Sequence, residues 1–150
     1  MGRLLGQDSY ALLDPFVKTA WKVALCLGVA IAAIFSTTPW LFDIFYPNLD
    51  DQTHTAVRLI LPMLIILPLV RSSNVVCGNV LRASGQASYA FKVHVTTQWL
   101  FTVPVTALFV LVLKVPLIWV FGIIVAEELL KAIPFHLRIA SGEWKQRIEI

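Results

Sequence analysis

From Leu59 to Leu81 the chain runs 23 residues with one charged side chain, Arg71. At a helical rise of about 1.5 Å per residue this stretch is roughly 34 Å long, slightly more than a bilayer core of about 30 Å. It therefore reads as a membrane-spanning helix. Arg71 is the thirteenth residue of the run and falls near mid-depth. An arginine there costs at least about 2.5 kcal/mol by insertion scales and is normally held against protein or a water-filled cavity. Ser72, Ser73 and Asn74 follow it, so a whole turn at mid-depth is polar and unsuited to face lipid. Pro62 and Pro68 each remove a backbone donor, which frees the carbonyls of Arg58 and Leu64 and bends the helix. A bent helix with a polar centre belongs either to a solute path or to a packed seam between helices.

The rest of the chain agrees. Hydrophobic residues make up 58%, against about 45–50% in soluble domains, and charged residues only 14%, against about 25%. So few charges could hardly cover a soluble surface. The net charge of +3 does not point to nucleic acid, because the basic residues flank apolar spans and serve topology. Cys26 and Cys77 both fall inside spans and lack metal-ligand spacing. The three histidines, His54, His94 and His136, have no ligand-like spacing either. With no nucleophile elbow and no glycine-rich phosphate loop, the sequence presents no enzyme and calls for no cofactor or metal.

Taken in order, residues 1–22 form a short polar lead-in carrying Arg3, Asp8, Asp14, Lys18 and Lys22. A transmembrane module of four spans follows over 23–137, the spans lying at about 23–42, 59–81, 90–113 and 116–137. Residues 138–150 make a polar tail. Trp40 serves as an interface anchor, Pro47 and Asn48 mark a turn, and Ala83-Ser84-Gly85-Gln86 marks another. Pro104 should bend the third span, and Pro116 suits the first turn of the fourth. Four spans place both ends on one side of the membrane. Nine lysines and arginines fall on that side and two, Arg58 and Lys114, on the other, so both termini are expected in the cytoplasm and Asp43–Thr55 outside.

Polar residues inside the spans are the candidate functional groups. On the second span Arg71, Asn74, Gly78 and Arg82 recur at three- and four-residue intervals, roughly along one face. Either Arg71 and Asn74 line a path for a substrate or ion, or they bond neighbouring helices, with Gly78 allowing close helix approach. On the third span His94, Gln98, Thr102 and Thr106 recur every four residues. They either line an aqueous cavity or act as hydrogen-bonding glue beside Pro104, with the threonines satisfying freed carbonyls. On the fourth, Glu127 and Glu128 precede Lys131 by four and three residues, the spacing of a helical ion pair at the cytoplasmic end. A proton-carrying carboxylate is the alternative there.

Several of these pieces carry a family resemblance. The run LPLVRSSNVVCGNVLRASGQ, followed by Trp99 and Pro104 in QWLFTVP, resembles the tenth and eleventh helices of MATE (multidrug and toxic compound extrusion) transporters. The stretch AEELLKAIPFHLRIASGEWKQ is similar to the ending of one branch of that family, and GRLLGQDSYA to its loop before helix nine. The family turn Gly-x-Leu-Arg-x-x-Gly has one extra residue here, between Gly78 and Leu81. The pieces keep the family's order over nearly the whole chain.

The resemblance implies an all-α integral membrane fold, with four helices corresponding to helices nine to twelve of the second six-helix lobe. It implies the C-terminal segment of a plasma-membrane antiporter that exports organic cations or drugs in exchange for protons or sodium ions. The partners would be the bilayer, a small cationic substrate and the transporter's N-terminal helices, without which the segment should not function. In one branch a carboxylate on helix ten contributes to a cation site, and Asn74 takes that place. Two other readings are a small four-span dimeric exporter and a non-transporting assembly subunit. The first needs a membrane glutamate in its first span, and Val23–Phe42 contains no acid.

Overall fold

The computed structural model describes residues 12–48, 50–116 and 118–146, apart from the Gln146 side chain. The whole GRLLGQDSYA stretch, with Arg3 and Asp8, and also Arg147 lie outside the described residues. The elements are α1 (Leu13–Ser36), α2 (Thr38–Phe45), α3 (Asp51–Ala83), α4 (Ala87–Val112), α5 (Ile118–Ala140) and α6 (Glu143–Gln146). Leu13–Phe45, Asp51–Ala83 and Ala87–Val112 are each long and apolar enough to cross a membrane. The 23 residues of α5 are also long enough, but Glu127, Glu128 and Lys131 place three charges within its apolar stretch.

The polar lead-in is shorter than the sequence implies. α1 begins at Leu13, ten residues before Val23, because Leu13 inserts into the core at 1% exposure while Lys18 and Lys22 stay on the exposed face. Asp14 sits in the first turn, favourable for the helix dipole, and its carboxylate accepts from Lys145 Nζ at 2.7 Å. α1 breaks at Thr37 because Pro39 cannot donate to the Phe35 carbonyl; Thr37 Oγ1 bonds the Ile34 carbonyl there at 2.7 Å.

α3 starts eight residues before Leu59, under an Asp50 cap. The Asp50 carboxylate accepts from Thr53 Oγ1 at 2.7 Å and Thr53 N at 3.1 Å, and the Thr53 hydroxyl above all holds its pKa below the usual value. The helix runs on through Pro62 and Pro68. It ends at a Schellman turn: Gly85 takes φ +77°, Gln86 N–H reaches the Leu81 carbonyl at 2.8 Å and Gly85 N–H that of Arg82 at 3.3 Å.

α4 contains two π-helical turns, Gln98–Thr102 and Leu108–Val112, on either side of the Pro104 segment Val103–Ala107. The wider i→i+5 bonding carries the chain past a proline that has no donor to give. Pro116 precedes α5 rather than opening it, with its carbonyl accepting from Trp119 N–H at 3.0 Å.

The supposed polar tail is also partly core. α5 continues to Ala140, the chain reverses at Gly142 (φ +71°), and Trp144 folds back to 2% exposure. Its indole N–H donates to the Ile139 carbonyl at 3.2 Å. Arg138 Nε donates to Gln86 Oε1 at 2.9 Å and its guanidinium pairs with Glu143, tying this reversal to the α3–α4 turn.

Leu13, Cys77, Val80, Leu81, Ala90, Phe135 and Trp144 form one core cluster. They come from the start of α1, the end of α3, the start of α4, the end of α5 and α6, so the two ends of the described chain meet at one end of the bundle. Elsewhere large apolar side chains point outward: Val23, Leu27, Ile31 and Ile34 on α1 and Phe91, Val95 and Trp99 on α4 are all exposed. Such a surface suits an apolar solvent.

α3 packs most extensively against α1 and α5. Close approach is carried by Gly28, not by Gly78 as the sequence implies. A Cβ at Gly28 would lie 2.9 Å from Ser72 Oγ and 3.1 Å from the Pro68 carbonyl, whereas one at Gly78 would meet the Phe135 ring at 3.9 Å, an ordinary contact. Gly28→Ala should therefore destabilise the bundle by about 1–3 kcal/mol through overpacking. Gly78→Ala should be neutral or stabilising, since alanine replaces glycine in a helix. Thermal unfolding of the two variants in detergent checks this, and equal effects would place the tight contact elsewhere.

Candidate functional site

Between α3, α4 and α5 lies a cavity of about 410 Å³. The helical spacing of Arg71, Asn74, Gly78 and Arg82 does set them on one face of α3, and all four line the cavity. α4 contributes His94 and Gln98, and α5 contributes Ile124, Glu127, Glu128 and Lys131. The ridge expected on α4 is divided. Thr102 and Thr106 line a separate apolar hollow, because the π turn beginning at Gln98 changes the helical register after it. Thr102 Oγ1 is buried with no hydrogen-bond partner among the described residues, so it does not satisfy a carbonyl freed by Pro104.

One wall of the cavity is a buried charged network. Lys131 Nζ donates to Glu127 Oε1 at 2.9 Å and to Glu128 Oε1 at 2.8 Å. The other Glu128 oxygen accepts from Asn74 Nδ2 at 2.9 Å, and the same amide donates to the Glu128 carbonyl at 2.8 Å. Both Asn74 partners are acceptors, which fixes its amide orientation and leaves Oδ1 as a buried acceptor with no partner among the described residues. Asn74 thus brings to α3 no charge of its own but holds in place the carboxylate of α5. The long-range Asn74–Glu128 bond had no local signal in the sequence.

Arg71 lies on the same cavity and is exposed; among the described residues it makes no ion pair within 4.0 Å. Arg82 donates to Asn79 Oδ1 at 3.2 Å. The cavity therefore holds Arg71, Arg82 and Lys131 against two carboxylates, an excess of one positive charge with His94 neutral. His94 stacks edge-on against Phe135, with ring centroids 5.4 Å apart.

A second polar cluster joins three helices. Trp21 Nε1 donates to Ser73 Oγ at 2.7 Å, Ser73 bonds His136 Nε2 at 2.7 Å, and His136 Nδ1 bonds the Ala132 carbonyl at 2.7 Å. Because that carbonyl only accepts, Nδ1 carries the proton and Nε2 accepts from Ser73. This cluster locks α1, α3 and α5 together. His136 was unremarkable in sequence because its partners on other helices are 63 and 115 residues away. A larger hollow of about 800 Å³, lined by Ile60, Met63 and Trp119 among others, lies by the N-terminal half of α3 and is mostly apolar.

Apolar, outward-facing helices around a polar, charged cavity define a multi-pass helical membrane protein. The MatE family model matches residues 1–108, and the chain belongs to that family, whose members are transporters. Residues 109–150, with Glu127, Glu128 and Lys131, lie beyond the matched stretch. Neither a curated protein nor a solved structure matches the chain.

Proposed function

We propose that the chain is the helix nine-to-twelve portion of a MATE antiporter that exports organic cations or drugs in exchange for protons or sodium ions, and that the α3–α4–α5 cavity is part of its transport path. The observation that carries this reading is the convergence of Arg71, Asn74, His94 and Gln98 with the Glu127–Lys131–Glu128 network on one cavity inside an apolar bundle. Intramembrane ionisable groups are rare and mark substrate or ion pathways. Transport by alternating access uses two repeats moving about a site at their interface. The charged cavity of this bundle would thus be completed by an opposing lobe, and the four helices would not transport alone.

To test the path, a cysteine at Gln98 in a background lacking Cys26 and Cys77 is treated with a water-soluble thiol reagent. Labelling is expected, and a cationic dye should slow it in a saturable way; labelling indifferent to the dye would take Gln98 off the path.

In the same reading α5 is the fourth crossing and both termini are cytoplasmic, supported by the charge bias and by the meeting of Leu13 and Trp144 in one cluster. A cysteine at the exposed Asn48 should label with an impermeant reagent in intact cells and one at the exposed Ser141 should not. The reverse pattern would invert the topology.

A further inference from the structure

We propose that the Lys131 ammonium is a tethered cation occupying the coupling-ion position of this cavity, so that the cavity excludes sodium and exchanges protons. The inference rests on the transport reading and narrows its coupling ion.

The geometry supplies an oxygen-lined cation seat. Glu127 Oε1 and Glu128 Oε1 lie 2.9 and 2.8 Å from Lys131 Nζ. The three side chains are 15%, 9% and 6% exposed, so water screens their charges little. Beside them Asn74 is 4% exposed and its Oδ1 is a further oxygen without a donor among the described residues. Carboxylate and amide oxygens are the ligands that hard cations take. Here the chain's own ammonium already bonds both carboxylates. A sodium ion at the same oxygens would lie against Lys131, with Arg71 and Arg82 of α3 on the same cavity and no further acid lining it among the described residues. Among the described residues, no group of three or more His, Cys, Asp and Glu side chains is placed to hold a metal ion.

A proton needs no coordination shell. It enters by adding to a carboxylate oxygen of Glu127, the more exposed acid, forming an O–H bond and weakening the Lys131–Glu127 bond while Lys131 keeps Glu128. Nothing is oxidised or reduced, and the proton leaves by the reverse step. The charged and titratable groups that face this exchange are Arg71 and Arg82 from α3, His94 from α4, and Glu127, Glu128 and Lys131 from α5.

The test uses the complete transporter in lipid nanodiscs, comparing sodium chloride with potassium chloride at equal ionic strength. The wild-type unfolding temperature should be the same in both salts, and Lys131→Arg should behave likewise. Lys131→Met vacates the seat and should gain an upward shift of about 1–2 °C at sodium about five times the new site's Kd. Adding Glu128→Gln should abolish that gain. A folded Lys131→Met protein without it would overturn the proposal. Equilibrium binding of radioactive sodium to the wild-type protein decides the matter even if Lys131→Met does not fold. No saturable binding that depends on Glu128 is expected, and binding of about one ion per chain that Glu128→Gln removes would refute the tethered-cation role. Dye efflux in the same preparation separates the two claims. Efflux together with sodium binding sinks the Lys131 role alone, whereas absence of efflux without sodium binding sinks the transport reading and the coupling role with it, leaving Lys131 only as the occupant of the seat.

Discussion

Lys131→Ala, measured by thermal or denaturant unfolding in sodium-free buffer, should destabilise the bundle by about 3–5 kcal/mol, the range for breaking a buried ion pair by removing one partner. The effect is large because the loss is asymmetric. The ammonium serves two carboxylates at 2.8 and 2.9 Å, and with it gone two like charges remain on adjacent residues with little water to screen them. Asn74 can compensate for only one, through its bond to Glu128 Oε2. Replacing all three charges, Glu127→Gln with Glu128→Gln and Lys131→Met, should recover most of the loss, since an uncharged set of similar volume carries no desolvation penalty. If Lys131→Ala unfolds within about 1 kcal/mol of wild type, the network is solvated and belongs with surface pairs.

That network shows what the sequence could and could not disclose. The three- and four-residue spacing of Glu127, Glu128 and Lys131 announces their pairing, and the same periodicity puts Arg71, Asn74, Gly78 and Arg82 on one face. These are properties of a single helix. Which faces meet is set by packing, so the Asn74–Glu128 bond and the Trp21–Ser73–His136 cluster were not legible. Hydropathy located the long apolar helices but not their ends. Leu13 and Trp144 extend the helical core beyond the apolar runs because tertiary contacts, not mean hydropathy, bury them. The π turns misled in another way. A four-residue repeat linked His94, Gln98, Thr102 and Thr106 only while α4 was taken as regular, and the turn starting at Gln98 sends Thr102 and Thr106 to another surface. Gly78 was chosen over Gly28 because it lay in the polar stripe, whereas close approach depends on the neighbouring helix, here the Pro68–Ser72 turn of α3.

The central claim is that the α3–α4–α5 cavity carries transport, and Arg71 probes it most directly. It lines the cavity, is exposed, and makes no ion pair among the described residues, so replacing it strands no buried partner charge. Its loss should thus act on transport and not on folding. In proteoliposomes of the complete transporter under an imposed proton gradient, Arg71→Ala should slow efflux of a cationic dye about 10- to 100-fold. That range corresponds to losing one hydrogen bond from the Arg71 guanidinium to an acceptor atom of the dye, at about 1.5–3 kcal/mol. Membrane abundance and unfolding temperature should stay near wild type. Wild-type efflux by a normally abundant Arg71→Ala protein would contradict the assignment of the cavity to the transport path.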